Sequence, residues 1–135
     1  MANFSDYFEN AIINLMRNTA FSEVATVYVA LFTGSAGIEA NNPTAEVSGG
    51  SYARQTCALD AASGGATANT SRIMFPTATA NWGTVTHLAV VDHATNTNWG
   101  SDVNVLMWAA LDVARTVNTD ELLKITAGDL DITVA

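Results

Sequence analysis

The sequence predicts a mainly β domain, an antiparallel β-sandwich or partly closed barrel of about seven strands, with one N-terminal amphipathic helix. Three observations carry that expectation. Apolar residues recur at helical spacing only near the N-terminus, whereas β-branched and aromatic runs of strand length recur from residue 26 onward. Clusters of Gly, Asn, Asp, Ser and Thr separate those runs, and no crossover helices are available for a parallel sheet. At 135 residues the chain has the size of one domain. Residues 1–135 are therefore expected to form a single unit, with the helix in 1–18 and the sandwich in 24–135.

The helix rests on Phe4, Tyr7, Phe8, Ala11, Ile12, Leu15 and Met16, whose spacing makes an apolar stripe. Asn3 or Ser5 supplies the N-cap. Asp6 and Glu9 face the positive end of the helix dipole and Arg17 its negative end, before Asn18 and Thr19 close the segment. Residues 26–33 then form a β-branched and aromatic run ended by Gly34, the pattern of a strand buried on both faces or nearly so. Residues 34–50 hold Gly, Ser, Asn and Pro43 with little to bury, which predicts a long surface loop ordered by a neighbour. Strand patterning returns at 52–59, 71–75, 86–91, 105–112, 122–126 and 130–134. Turn clusters fall at 61–70, 76–83, 92–104 and 115–121.

Composition excludes several function classes. Five Lys and Arg against 13 Asp and Glu give a formal charge of -8, the wrong sign for neutralising phosphates, so nucleic acid and anionic membrane are not expected partners. With 49% hydrophobic and 13% charged residues the chain is too apolar to stay disordered. Its exterior must then be rich in small neutral residues, a surface that tolerates burial against a partner. The single cysteine, Cys57, leaves neither an internal disulfide nor a zinc framework. No signal peptide or apolar run of membrane-spanning length is read, so synthesis in a cytoplasm is expected.

Chemistry-bearing residues are few. His87 and His93 lie six apart, roughly 20 Å along an extended chain, too far to share a metal locally. Asp92 beside His93 has the composition of a dyad, but strand neighbours point to opposite faces, and turn roles are expected for both. No Gly-x-Ser-x-Gly elbow exists, and no glycine-rich loop runs into a helix to cradle phosphate. Alternation places Cys57 with Gln55 and Ala53 on one face and Arg54, Thr56 and Ala58 on the other, so Cys57 is expected to be a buried structural thiol. Asp129 and Asp131 share a strand face opposite Leu130, Ile132 and Val134, and Asp120 with Glu121 fits a hairpin turn. No metal, no cofactor and no enzyme activity are expected. Among the tryptophans, Trp82 is expected to be a lid on the core and Trp99 a contact residue.

Three segments carry a family resemblance. Residues 46–55 read Glu-Val-Ser-Gly-Gly-Ser-Tyr-Ala-Arg-Gln. Phe75-Pro76 then leads to residues 81–87, Asn-Trp-Gly-Thr-Val-Thr-His, and residues 127–133 read Ala-Gly-Asp-Leu-Asp-Ile-Thr. With the opening Met-Ala-Asn-Phe-Ser-Asp-Tyr and the strand at 28–33, the chain resembles, over nearly its whole length, short proteins of tailed phages and prophages called phage tail fibre proteins. The resemblance implies a virion structural protein with no catalytic residues to carry over. Residues 93–105 depart from it, being longer and richer in Asn and Trp than the tight hairpin usual there.

A chain this compact, with a radius of gyration of roughly 14 Å, builds no shaft by itself. It contains no heptads, collagen triplets or short β-repeats. The favoured expectation is a cement protein decorating the outer surface of the icosahedral head through contacts to the major capsid protein. The alternative is a tail fibre or baseplate module in which Trp99 and residues 92–104 touch a host glycan. A small hydrolase built on Asp92 and His93 is the reading from a different class. Partners are expected to be other virion proteins, capsid or tail, and further copies of the chain as a homo-oligomer. The candidate protein contacts are Phe4, Tyr7 and Phe8 on the helix, Asn42 and Pro43 in the long loop, and Asn98 and Trp99.

Overall fold

The computed structural model describes residues 3–134. In chain order the elements are β1 (Asn3–Phe4), α1 (Asp6–Met16), β2 (Val27–Phe32), β3 (Gln55–Cys57), β4 (Ala66–Ala68), β5 (Ile73–Met74), β6 (Gly83–Val91), β7 (Val105–Val117), β8 (Lys124–Ile125) and β9 (Asp131–Thr133). Five strands form one antiparallel sheet in the order β1-β7-β6-β2-β3, and β4-β9 and β5-β8 form two separate ribbons. The mainly β, antiparallel expectation holds, and among the described residues no barrel closes.

β2 lies inside the sheet, between β6 and β3, and its composition explains why. Val29 and Leu31 join one core with Leu88, Val90 and Met107, onto which the ribbons bring Ile73 and Ile132. Ala30 and Phe32 point the other way, into a second core with Ala89, Val91, Val105 and Ile38. These four of the six β2 side chains have no exposed surface, as the unbroken apolar run predicts for a strand covered on both faces.

The partners β6 and β7 are joined with two irregularities. Val85 pairs with Arg115 but His87 pairs with Ala110, so residues 111–114 of β7 lie opposite Thr86 alone. Val90 pairs with Met107 and Val91 with Val105, leaving Leu106 as an extra residue. β7 runs on to Val117, beyond the strand expected at 105–112 and into the expected turn, because Val117 is buried in the first core. β4 lies inside the expected turn at 61–70. Its Ala-Thr-Ala sequence carries no apolar alternation and is held by pairing with Asp131, Ile132 and Thr133.

Ser5 is the cap of α1: its hydroxyl accepts from the Phe8 amide at 3.2 Å and donates to the Val105 carbonyl. Its amide donates to the Leu106 carbonyl at 3.1 Å, so the cap also fixes the helix to the sheet. Only the first part of the expected stripe packs. Phe4, Tyr7 and Phe8 lean on the first core, and Phe8 meets Phe21 edge to face at 5.8 Å. Leu15 and Met16 are exposed, because the helix continues past the sheet that would cover them. Among the described residues no helix is long and apolar enough to cross a membrane.

Candidate functional site

Two long loops cover the second core, and their outer surface is the candidate site. Residues 34–50 turn sharply at Gly37, whose φ of +74° suits glycine and whose carbonyl accepts the Asn42 amide at 2.8 Å. Ile38, just past that turn, is buried under the loop as its apolar anchor. The returning limb then lies beside β2, with Thr33 donating to the Ala45 carbonyl and Val47 to the Leu31 carbonyl, each at 2.9 Å. The sequence predicts a loop ordered by a neighbour; the loop is instead ordered by its own chain.

The second loop, residues 92–104, is built from side chains that replace backbone ladders. The Asp92 carboxylate accepts from the Asn104 amide at 2.6 Å and from its Nδ2 at 2.8 Å. Asn104 Oδ1 accepts from Asn41 Nδ2 at 2.9 Å, and Asn41 Oδ1 accepts from the Val105 amide at 2.7 Å. This chain of amides ties one loop to the other. His93 Nδ1 accepts from the amides of Thr95 and Asn96 at 3.2 and 3.0 Å. Asp92 and His93 thus take separate turn roles, as their composition predicts.

Beneath both loops lies Arg54. Its Nε and Nη2 donate to the two carboxylate oxygens of Glu46, each at 2.7 Å, in a bidentate pair. Its Nη1 donates to the carbonyls of His93 and Asn96 at 2.8 and 2.9 Å. The guanidinium carbon sits 4.8 Å from the centroid of the Trp99 ring. One buried cation therefore joins the first loop through Glu46 to the second through two carbonyls and a tryptophan. It forms the only ion pair among the described residues. Tyr52 extends the network: its hydroxyl donates to Glu46 Oε1 at 3.1 Å and accepts from the Leu31 amide at 2.9 Å. Burial first, and then the Glu46 charge, push the Tyr52 phenol up from its ordinary value.

The alternation expected across residues 53–58 is corrected here. It set Arg54 opposite Cys57 with Thr56 and Ala58, but β3 starts only at Gln55, so residues 52–54 are not pleated. Arg54 and Cys57 are both buried while Thr56 and Ala58 are exposed. Burial also pushes the Cys57 thiol up from its ordinary value, consistent with a structural thiol.

The expected contact residues separate into two groups. Phe4, Tyr7 and Phe8 are half-buried against the domain's own core. Pro43 is buried, a correction to its expected contact role, because the Gly37 turn folds the loop back over it. Trp99 is half-buried between Phe32, at a ring distance of 6.3 Å, and Arg54, so its ring is used internally. Asn42 and Asn98 are exposed, one from each loop, with Thr44, Thr95, Thr97 and Asp102 exposed on the same two segments. Trp82 is the expected core lid, buried and donating to the Gly50 carbonyl at 2.9 Å. Sequence reasoning missed Arg54, Glu46, Tyr52 and Asn41 as organisers. Three of them lie within residues 46–55, the first segment of the resemblance, and that was the available signal.

The platform is thus an amide- and hydroxyl-bearing surface, with the carboxylates of Glu39 and Asp102 also exposed on it, locked from below. Compared with protein families, residues 3–133 match the family described as podophage GP4 fiber I protein gp80. No curated protein matches the chain.

Proposed function

The chain belongs to this podophage fibre protein family, and from that premise we propose that it is a compact tail-fibre module whose two-loop platform faces the host surface. As a phage fibre protein it is a structural component of the virion, and its partners include other virion proteins. The observation that supports an outward platform is the Arg54 network. It fixes loops of residues 34–50 and 92–104 in one geometry without help from a neighbour. A surface ordered in advance binds without the entropy loss of ordering its side chains. Its exposed Asn42, Asn98, Thr95 and Thr97 offer amides and hydroxyls, groups suited to the hydroxyls of a neutral saccharide. The role is structural and recognitional, with no reaction step assigned to any residue. The family description favours the fibre over the capsid cement role.

Two measurements test this reading. Gold-labelled antibody on intact virions is expected to mark the tail, and purified protein is expected to slow phage adsorption to host cells in competition. Label distributed over the head would overturn the fibre reading in favour of cement. Label on the tail with no competition by the wild-type protein, at concentrations far above phage, would overturn the outward platform.

A further inference from the structure

The opposite face of the sheet is not sealed. A cleft of about 1120 Å³ runs beside the distal half of β7, with Leu88, Met107, Leu123, Leu130 and Ile132 among the residues lining it. β1 pairs with β7 only at Met107 and Trp108. Among the described residues no strand pairs with the outer edge of β7 over residues 111–116. The bulge opposite Thr86 leaves residues 111–114 without register partners on β6 as well. Unpaired N–H and C=O groups beside an apolar cleft are what an added strand uses for affinity. Two apolar side chains stand at its mouth, Val113 at 65% and Leu122 at 45% exposure.

The rim selects the occupant. It carries the carboxylates of Asp112, Glu121, Asp129 and Asp131 against the cations of Arg115 and Lys124. None of the six is in an ion pair among the described residues. The rim is therefore net acidic, on a chain whose formal charge is -8. A second copy brings the same sign of charge to the contact, which disfavours it. We propose that this cleft receives an extended, basic segment of another virion protein, added along the free edge of β7. Its alternate apolar side chains enter the cleft, and its Lys or Arg residues meet Asp112, Asp129 and Asp131. The cleft lies on the face of the Leu88 and Met107 core, whereas the platform covers the Ala89 and Val105 core, so attachment and host contact use opposite faces. The inference rests on the fibre reading only in taking its partner from the virion.

The test uses full-length protein supplied in trans to phage lacking it. A photo-crosslinking residue at position 113 is expected to yield, in purified virions, an adduct to one extended Lys- or Arg-bearing segment of a different virion protein, identified by peptide mass spectrometry. Val113→Asp with Leu122→Asp, and separately Asp129→Lys with Asp131→Lys, are expected to keep the wild-type circular dichroism and lower incorporation into virions at least tenfold. Asn98→Ala, on the platform, should leave incorporation unchanged. An adduct to a second copy or to a host-envelope component, or normal incorporation of both cleft variants, overturns the proposal. Wild-type label on the tail with unaffected cleft variants removes this inference alone, whereas label on the head removes the fibre reading.

Discussion

Arg54→Ala is the perturbation with the largest expected effect. The Arg54 side chain is 3% exposed and makes four charge-assisted hydrogen bonds of 2.7 to 2.9 Å. Truncation leaves Glu46, whose side chain is 15% exposed, without its counter-charge, and two loop carbonyls without donors. Breaking one side of such a buried pair costs about 3–5 kcal/mol. Domains of this kind have total stabilities of about 5–15 kcal/mol, so the variant should fold with a large part of its margin gone. With a urea slope of about 2 kcal/mol per M, the midpoint should fall by about 2 M. Urea titration followed by tryptophan fluorescence is the assay, and Trp99, stacked on Arg54, places a reporter at the site. Glu46→Gln combined with Arg54→Met should recover part of the loss, since no uncompensated charge then remains. Arg54→Lys should still be destabilised, because an ammonium reproduces neither the bidentate pair nor the stacking. A loss below about 1 kcal/mol for Arg54→Ala, the level of an exposed pair, would refute the argument that this residue locks the platform.

Three further outcomes follow from local geometry. Tyr52 holds its proton in the folded protein, whereas an unfolded tyrosine ionises near pH 10. The native state therefore binds more protons above that pH, and the Tyr52 contribution to stability should be constant up to about pH 9 and fall as pH rises through 10, on top of an earlier decline from the raised Cys57 thiol. Urea midpoints between pH 8 and 11 test this, and Tyr52→Phe should flatten the alkaline limb. Gly37→Ala would set a Cβ 2.0 Å from the Asn42 carbonyl oxygen, whereas nothing lies within 4 Å of one at Gly49, although both have positive φ. Thermal melts should show Gly37→Ala to be much the more destabilising of the two, beyond the about 1 kcal/mol of αL strain that they share. Ser5→Ala removes both a helix cap and a buried hydroxyl donor to Val105, and should cost about 1–2 kcal/mol, read as faster hydrogen exchange in α1.

The elements that the sequence revealed are those whose signal is local. The run Val27 to Phe32 needs only its own composition to be recognised as a strand covered on both faces, and Ser5 followed by Asp6 and Glu9 needs only helix-end electrostatics. β4 and the last three residues of β7 were hidden because their pairing partners, not their own residues, hold them. The platform was hidden for a sharper reason. Glu46 and Arg54 are eight residues apart with four small residues, Ser48 to Ser51, among those between them, a spacing that belongs to no regular element. Their partners His93 and Asn96 lie some forty residues further on, so no periodicity connects them. Trp99 stood out as large and in a linker, which indicates a buried ring without saying whose pocket it fills.

Sparse charge acquires a structural meaning from this arrangement. A cation buried at Arg54 is costly unless it is paired and hydrogen-bonded, and here Glu46, His93 and Asn96 take four of its five N–H donors while the Trp99 ring lies against the guanidinium. Once that internal network is satisfied, the loop tips carry no packing duty, and Asn42 and Asn98 can differ without disturbing either core. For the proposed host-facing platform, this separation would let the contact surface change while the fold is kept. The proposed attachment accounts for the second face in the same way. A sheet sealed on both faces and both edges by its own loops would have no apolar surface with which to join a larger assembly, whereas the cleft beside β7 leaves such a surface on the side away from the platform.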